Sequence, residues 1–222
     1  MRKVSFLPLY LALFFFLLAL SFMGCGGGGG GGGGGPTISG KIENWQPGYT
    51  LKAYIEGDDE DYFYGNISVD NQGYFTYNLP PPNPNHLSPI TFEGDEDCEV
   101  TQRPTVSPND SKMGFLDLKA VVNSQERDVE LMRQGGGQPS PNTPMAGDYI
   151  FLDRATTFTG TLEERCSGEP IQRIQFDNVS LPAGWNYVEF VFVSYDSQTN
   201  TLTLKVVPKS SPSPELKWMI EN

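Results

Sequence analysis

Apolar residues recur at every second position in short runs along this chain, and clusters of Gly, Pro, Asn and Asp separate the runs. Thr37–Glu43 alternates around Ile38 and Ile42, and Thr50–Glu56 through Leu51, Ala53 and Ile55. A period of two is that of a strand with one buried face, and the Val, Ile, Thr, Tyr and Phe that fill these runs suit a pleated surface. Tyr62–Val69 and Gly73–Leu79 flank Asp70-Asn71-Gln72-Gly73, which predicts a hairpin turn. Met113–Val122 and Arg127–Met132 predict a second hairpin across Asn123-Ser124-Gln125. Further strands are predicted over Tyr149–Asp153, Thr156–Glu163, Ile171–Val179, Tyr187–Tyr195 and Thr201–Val207, the last two bracketing a loop at Asp196–Asn200. From Thr37 onward no stretch carries a helical period. The expectation is an all-β protein of about 11 or 12 strands with antiparallel β-sandwich architecture.

The punctuation suggests two small packed β modules, or one larger sandwich split by a linker. Gln134 to Pro144 is built almost wholly of Gly, Gln, Pro, Ser, Asn and Thr, a composition that interrupts strands. It predicts an N-terminal β module over 37–133, a linker over 134–146 and a C-terminal β module over 147–208. A tail over 209–222 opens with Lys209-Ser210-Ser211-Pro212 and ends in Leu216, Trp218, Met219 and Ile220, which are expected to pack back onto the body.

The first residues read as an address. Arg2 and Lys3 precede an apolar run over Val4–Leu20, and Phe22-Met23-Gly24-Cys25 follows. A positive start, an apolar run and a small residue ahead of a cleavage point form a secretory signal. The run is also near the ~20 residues of a membrane span, so an uncleaved anchor is the competing reading. The cysteine behind Gly24 resembles the signal of bacterial lipoproteins. That resemblance covers residues 1–25, with Phe22 and Met23 departing from the usual pattern. It implies cleavage after Gly24, acylation of Cys25, and a place in the cell envelope. With Gly26 after the cysteine, it implies the outer membrane of a diderm cell, facing the periplasm or the surface. Gly26–Gly35 is an unbroken glycine run. Glycine loses the most backbone entropy on ordering, and ten such residues span roughly 17–19 Å as a coil, so residues 25–36 read as a tether. A phosphate-binding glycine loop would need Lys-Ser/Thr at its end, and Pro36-Thr37 stands there instead.

A second resemblance rests on Thr37-Ile38-Ser39-Gly40 and on Asp70-x-x-Gly73-Tyr74-Phe75 leading to Leu79-Pro80. Residues 37–80 resemble the transthyretin-like or carboxypeptidase regulatory-like β-sandwich. This implies a fold and a spacer or binding role and brings no reaction with it.

Composition narrows the partners. The formal charge is −12, and removal of Arg2 and Lys3 with the signal makes the body more acidic still. Nucleic acid is excluded as a natural partner, because phosphate binding needs clustered Lys and Arg. Contact with a membrane is expected through the lipid alone, and an envelope protein or a glycan remains as a partner. Setting Cys25 aside leaves Cys98 and Cys166, which in an exported protein read as one disulfide.

Candidate chemistry is sparse, and no cofactor is expected. The only histidine, His86, lies in a proline-rich segment, Pro80 to Pro89, and reads as a solvated loop residue rather than a triad base. Neither a G-x-S-x-G elbow nor an H-E-x-x-H site occurs. The 27 Asp and Glu residues offer many carboxylate pairs, and no spacing selects one, so an envelope hydrolase stays as a second alternative. Asp58, Asp59 and Asp61 in one predicted turn, and Asp95 and Asp97 in another, are candidates for calcium, with charged solvated turns as the simpler reading. Tyr62, Tyr64 and Tyr74 are candidates for a face that stacks on sugar rings, against the reading that cross-strand tyrosines only stabilise an exposed sheet. The function these features imply is a non-catalytic binding or structural role in the envelope, with a carbohydrate-binding module as the first alternative.

Overall fold

The computed structural model describes residues 35–56, 61–94, 98–134 and 139–221. The leader, Cys25, most of the glycine run and the candidate calcium ligands Asp58, Asp59, Asp95 and Asp97 lie outside the described residues. Within them the protein is all-β. Fifteen strands run in the order β1 (Thr37–Glu43), β2 (Thr50–Glu56), β3 (Asp61–Ile67), β4 (Tyr74–Asn78), β5 (Ser88–Pro89), β6 (Cys98–Gln102), β7 (Thr105–Ser107), β8 (Lys112–Val122), β9 (Gln125–Arg133), β10 (Pro144–Leu152), β11 (Thr156–Cys166), β12 (Ile171–Leu181), β13 (Gly184–Asp196), β14 (Thr201–Lys209) and β15 (Leu216–Ile220). Among the described residues no helix is long and apolar enough to cross a membrane.

The strands form one hydrogen-bonded network in the order β4-β1-β15-β9-β8-β10-β13-β14-β12-β11-β6, with β3 and β2 attached to β8. Most pairings are antiparallel, while β1–β15 and β12–β14 are parallel. The sheet folds over itself around two main cores. The first gathers Ile38, Leu51, Ala53, Leu118, Val129, Leu131 and Trp218 from β1, β2, β8, β9 and β15. The second gathers Ile150, Leu152, Phe158, Leu162, Val188 and Val206 from β10, β11, β13 and β14.

The strands at Thr37–Glu43 and Thr50–Glu56 have the expected bounds, and the buried positions of β2 are Leu51, Ala53 and Ile55, as its alternation requires. The β8–β9 hairpin closes through Asn123 and Ser124, both with positive φ (51° and 63°). That is the geometry of a two-residue turn whose twist matches the flanking strands.

Two expectations are corrected. The Asp70–Gly73 turn forms, with the Asp70 carboxylate accepting from the N–H groups of Gln72 and Tyr74 and Gly73 at φ 89°. It does not join a β3–β4 hairpin, however, because β3 pairs with β2 and β4 pairs with β1. That arrangement seats Phe75 against Trp218 in the first core. The strand expected from Tyr149 begins at Pro144, inside the span read as linker, and Asn142 and Thr143 already exchange backbone hydrogen bonds with Phe192. The two packed modules also share strand pairings across that span: β8 and β9 with β10, β6 and β7 with β11. Local composition marks where a strand stops and is blind to pairing between distant strands.

The tail does pack back. Leu216, Trp218 and Ile220 are buried, and β15 lies between β1 and β9. Its approach is held by Glu189, which is 1% exposed and accepts from the backbone N–H and hydroxyl of Ser213 at 2.7 and 2.9 Å.

Candidate functional site: an apolar cavity with a carboxylate side

The site begins at a fork. Strand β8 is 11 residues long, and on one edge it changes partner. Val122–Lys119 pairs with β9, Phe115–Met113 with β10, and β9 and β10 meet each other at Met132–Ala146 and Leu131–Gly147. Continued inward, the three ladders lead to the same residues. Lys119–Asp128 leads to Asp117 and Glu130, Phe115–Ile150 to Asp117 and Asp148, and Leu131–Gly147 to Glu130 and Asp148. Asp117, Glu130 and Asp148 thus converge on one face of the sheet where three strands meet. Glu56, the register partner of Phe115, stands on the same face. The opposite face carries Leu116, Leu118, Val129, Leu131 and Tyr149, all in the first core.

Along β8 and β10 the acidic face turns apolar. Met113, Ile150 and Leu152 belong to the second core, where β11 and β12 cover them. Beneath that cover is a partly enclosed cavity of about 110 Å³. Its walls are Phe92, Phe115, Phe158, Leu162, Ile174, Phe176, Val188 and Val206, and Glu56, Glu130 and Asp148 line it on the acidic side. Glu164 and Gln172, opposite one another on β11 and β12, complete the lining. Gln172 is 5% exposed, and its amide Nε2 has no hydrogen-bond partner.

The carboxylates are poorly compensated. Lys119 holds Asp61 at 2.6 Å and Asp117 at 3.2 Å, and Lys52 holds Glu126. The ion pairs of the described residues leave out Glu56, Glu130 and Asp148. Burial disfavours the charged form of a carboxylate, and neighbouring carboxylates add to it. Burial, then Asp117, Asp148 and Asp61, pushes Glu56 up to about 8. Burial, with Glu221, Asp128, Asp148 and Asp117, raises Glu130 to about 8. Asp148 is raised to about 7 by burial and Asp117. Asp117 reaches only about 6, because Lys119 opposes the effect of burial. Asp117 is itself 5% exposed, and its Oδ1 has no hydrogen-bond partner.

The residues singled out in the sequence fall elsewhere. Cys98 and Cys166 are bridged, as expected, between neighbouring strands β6 and β11. Tyr62 and Tyr64 share a side, as alternation requires, but it is the inward side. Tyr62 stacks on His86 with ring centroids 4.0 Å apart, and Tyr64 packs against Tyr77 and Trp185. The outward aromatic of β3 is Phe63, 56% exposed. Tyr74 is 52% exposed on β4, so the three tyrosines form no common platform. His86 is half-buried under Tyr62 rather than free in solvent. Asp61 is engaged by Lys119.

Sequence reading missed Glu56, Asp117, Glu130, Asp148 and Gln172. One signal was available: Asp117 and Glu130 interrupt the apolar runs Phe115–Val122 and Val129–Met132. Their meeting with Asp148 depends on three long-range registers that no local pattern encodes. Compared with known proteins, the chain matches no family model, no curated protein and no solved structure.

Proposed function

We propose that this is a non-catalytic binding protein of a bacterial cell envelope, carried on an acylated Cys25 and a glycine tether, with the cavity between β8–β10 and β11–β12 as its binding site. The cavity carries the binding half of this reading. Interiors are normally packed to the density of organic crystals, and a dry apolar void of ~150 Å³ is known to take a molecule the size of benzene. The space here, about 110 Å³ and lined by aromatic and aliphatic side chains, is smaller than that void but only partly enclosed, so it suits a small apolar group that extends through its open side. The lipoprotein-like residues up to Cys25 support the tethering half, with the outer membrane as its place in a diderm cell.

Several carboxylates in one crevice are also the material of an acid–base hydrolase. The lining favours binding instead: a sugar ring needs polar partners on several sides, and most of this wall is hydrocarbon. Titration of the full chain with 4-ethylphenol tests the reading. Saturable binding, abolished when Val206→Phe fills the cavity, is expected; absence of binding contradicts it. Palmitate labelling that persists in a Cys25→Ala variant contradicts the anchor.

A further inference from the structure

The binding reading above leaves the ligand open, and the polar groups of the cavity narrow it. We propose that the cavity takes a small amphiphilic cation, in which an ammonium or guanidinium group sits among Glu56, Glu130 and Asp148 and an apolar body of phenylalkyl size fills the space between the sheets. The inference rests on the binding function proposed for the same cavity.

Three observations carry it. First, three carboxylates from β2, β9 and β10 line one side of an otherwise apolar space, with Asp117 beside them at the strand fork. Ionised together in a buried setting these groups repel one another, so they keep their protons, and a bound monocation favours their charged forms. Second, the ion pairs of the described residues do not reach these three carboxylates: Lys119 is committed to Asp61 and Asp117, and Lys52 to Glu126. Third, two buried polar atoms are left without a protein partner. Asp117 Oδ1 lies at the fork, and Gln172 Nε2 lies in the cavity wall. Buried polar atoms are nearly always hydrogen-bonded, so each points to a group from outside the chain. A ligand carrying an oxygen as well as the cation satisfies Gln172 Nε2, which donates.

Binding is coupled to proton release. In the empty protein Glu56 and Glu130 hold their protons up to about pH 8, and the incoming cation drives them off. The groups on or beside the site are Lys52, Tyr54 and Glu56 on β2, Asp61 on β3, Asp117 and Lys119 on β8, Glu126, Asp128 and Glu130 on β9, Asp148 on β10, Glu164 on β11, and Glu221 after β15. Glu56 and Glu130 are raised to about 8, so affinity for a cation rises with pH between 6 and 8.5.

Isothermal titration of the full chain with tyramine and with 4-ethylphenol tests this, because the two share the phenol and differ in the ammonium group. Tyramine is expected to bind at least about tenfold more tightly at pH 8.5, a difference that shrinks toward pH 6 and is accompanied by buffer-dependent heat from released protons. The double variant Glu130→Gln/Asp148→Asn removes charge without removing volume. It is expected to lose the tyramine preference, and a near-ultraviolet circular dichroism spectrum like that of the parent shows that it is folded. Equal affinity for the two probes, or a tyramine preference that survives in the double variant, overturns the inference and leaves the binding reading standing. If neither probe binds, both fail. Binding of calcium chloride alone, with no response to tyramine, also overturns it in favour of a metal site.

Discussion

Gln172 lies directly across from Glu164 in the β11–β12 ladder, and both side chains turn into the wall of the cavity, where they are 5% and 2% exposed. A buried amide nitrogen without a partner carries a desolvation penalty that an apolar group of similar shape avoids. Gln172→Leu is therefore expected to stabilise the ligand-free protein by about 1 kcal/mol. The denaturant midpoint reads this directly, and an unchanged slope shows that the folded state is the same. A lower midpoint means that Gln172 is already satisfied.

The carboxylates of the cavity give stability a defined pH dependence. Glu56 and Glu130 are raised to about 8 in the folded protein, and Asp148 to about 7. In the unfolded chain all three titrate near their ordinary values of about 4. Between these limits the folded state binds more protons, so stability falls as pH rises. The melting temperature is expected to be higher at pH 6 than at pH 8.5, and Glu130→Gln is expected to flatten that slope.

Glu163 works the other way. The Arg173 guanidinium, with Arg165 and Thr101, holds its carboxyl down to about 2. Its contribution is present above the ordinary carboxylate range and is lost as pH falls from about 4.5 toward 2. Glu163→Gln is expected to remove this acid-limb loss, seen in melting curves collected from pH 5 to pH 2, while leaving the slope above pH 6 intact.

The C-terminal strand depends on Glu189. Its carboxylate accepts both the N–H and the hydroxyl of Ser213, and the Tyr187 hydroxyl donates to it at 3.2 Å. Glu189→Ala leaves these donors unpaired in a dry setting and is expected to cost about 3 kcal/mol. Cleavage by trypsin after Lys209 or Lys217 is expected to accelerate first, because β15 loses its approach segment before the rest of the sheet opens. Uniform cleavage throughout the chain would argue that the tail has no separate dependence on Glu189.

The Cys98–Cys166 bridge closes a sequence separation of 68 residues. Loop closure of that size is worth about 4 kcal/mol in the chain-entropy model. Paired Cys98→Ser and Cys166→Ser substitutions are expected to lower stability by that order, measured by urea denaturation, and to remove the mobility shift between reducing and non-reducing gels. Two unmodified thiols in the native protein contradict the bridge.

How far the chain could be read follows from what each signal encodes. Alternation such as Leu51-x-Ala53-x-Ile55 is local, and it located β2 and the sides of β3. Asn123-Ser124 defined a turn because its backbone geometry is local too. The two cysteines could be paired because, with Cys25 assigned to the anchor, no other partner remained. Short strands such as Cys98–Gln102 and Thr105–Ser107 escaped notice because they owe their existence to pairing with β11 rather than to an apolar period of their own. The tyrosines were read correctly for side and not for direction: alternation states that Tyr62 and Tyr64 face the same way, and only the packing of Tyr64 on Trp185 and of Tyr62 on His86 states that this way is inward. The cavity was least legible, since Asp117, Glu130 and Asp148 meet through three separate registers and Gln172 arrives from a fourth strand.

The binding claim is tested most directly by methyl-selective NMR of the full chain during titration with 4-ethylphenol. The account predicts saturable shifts concentrated at Leu162, Ile174, Val188 and Val206, with the methyls of Ile38, Ile42 and Ile220 in the first core unmoved. No shifts, or shifts confined to surface methyls, would contradict a ligand site between the sheets.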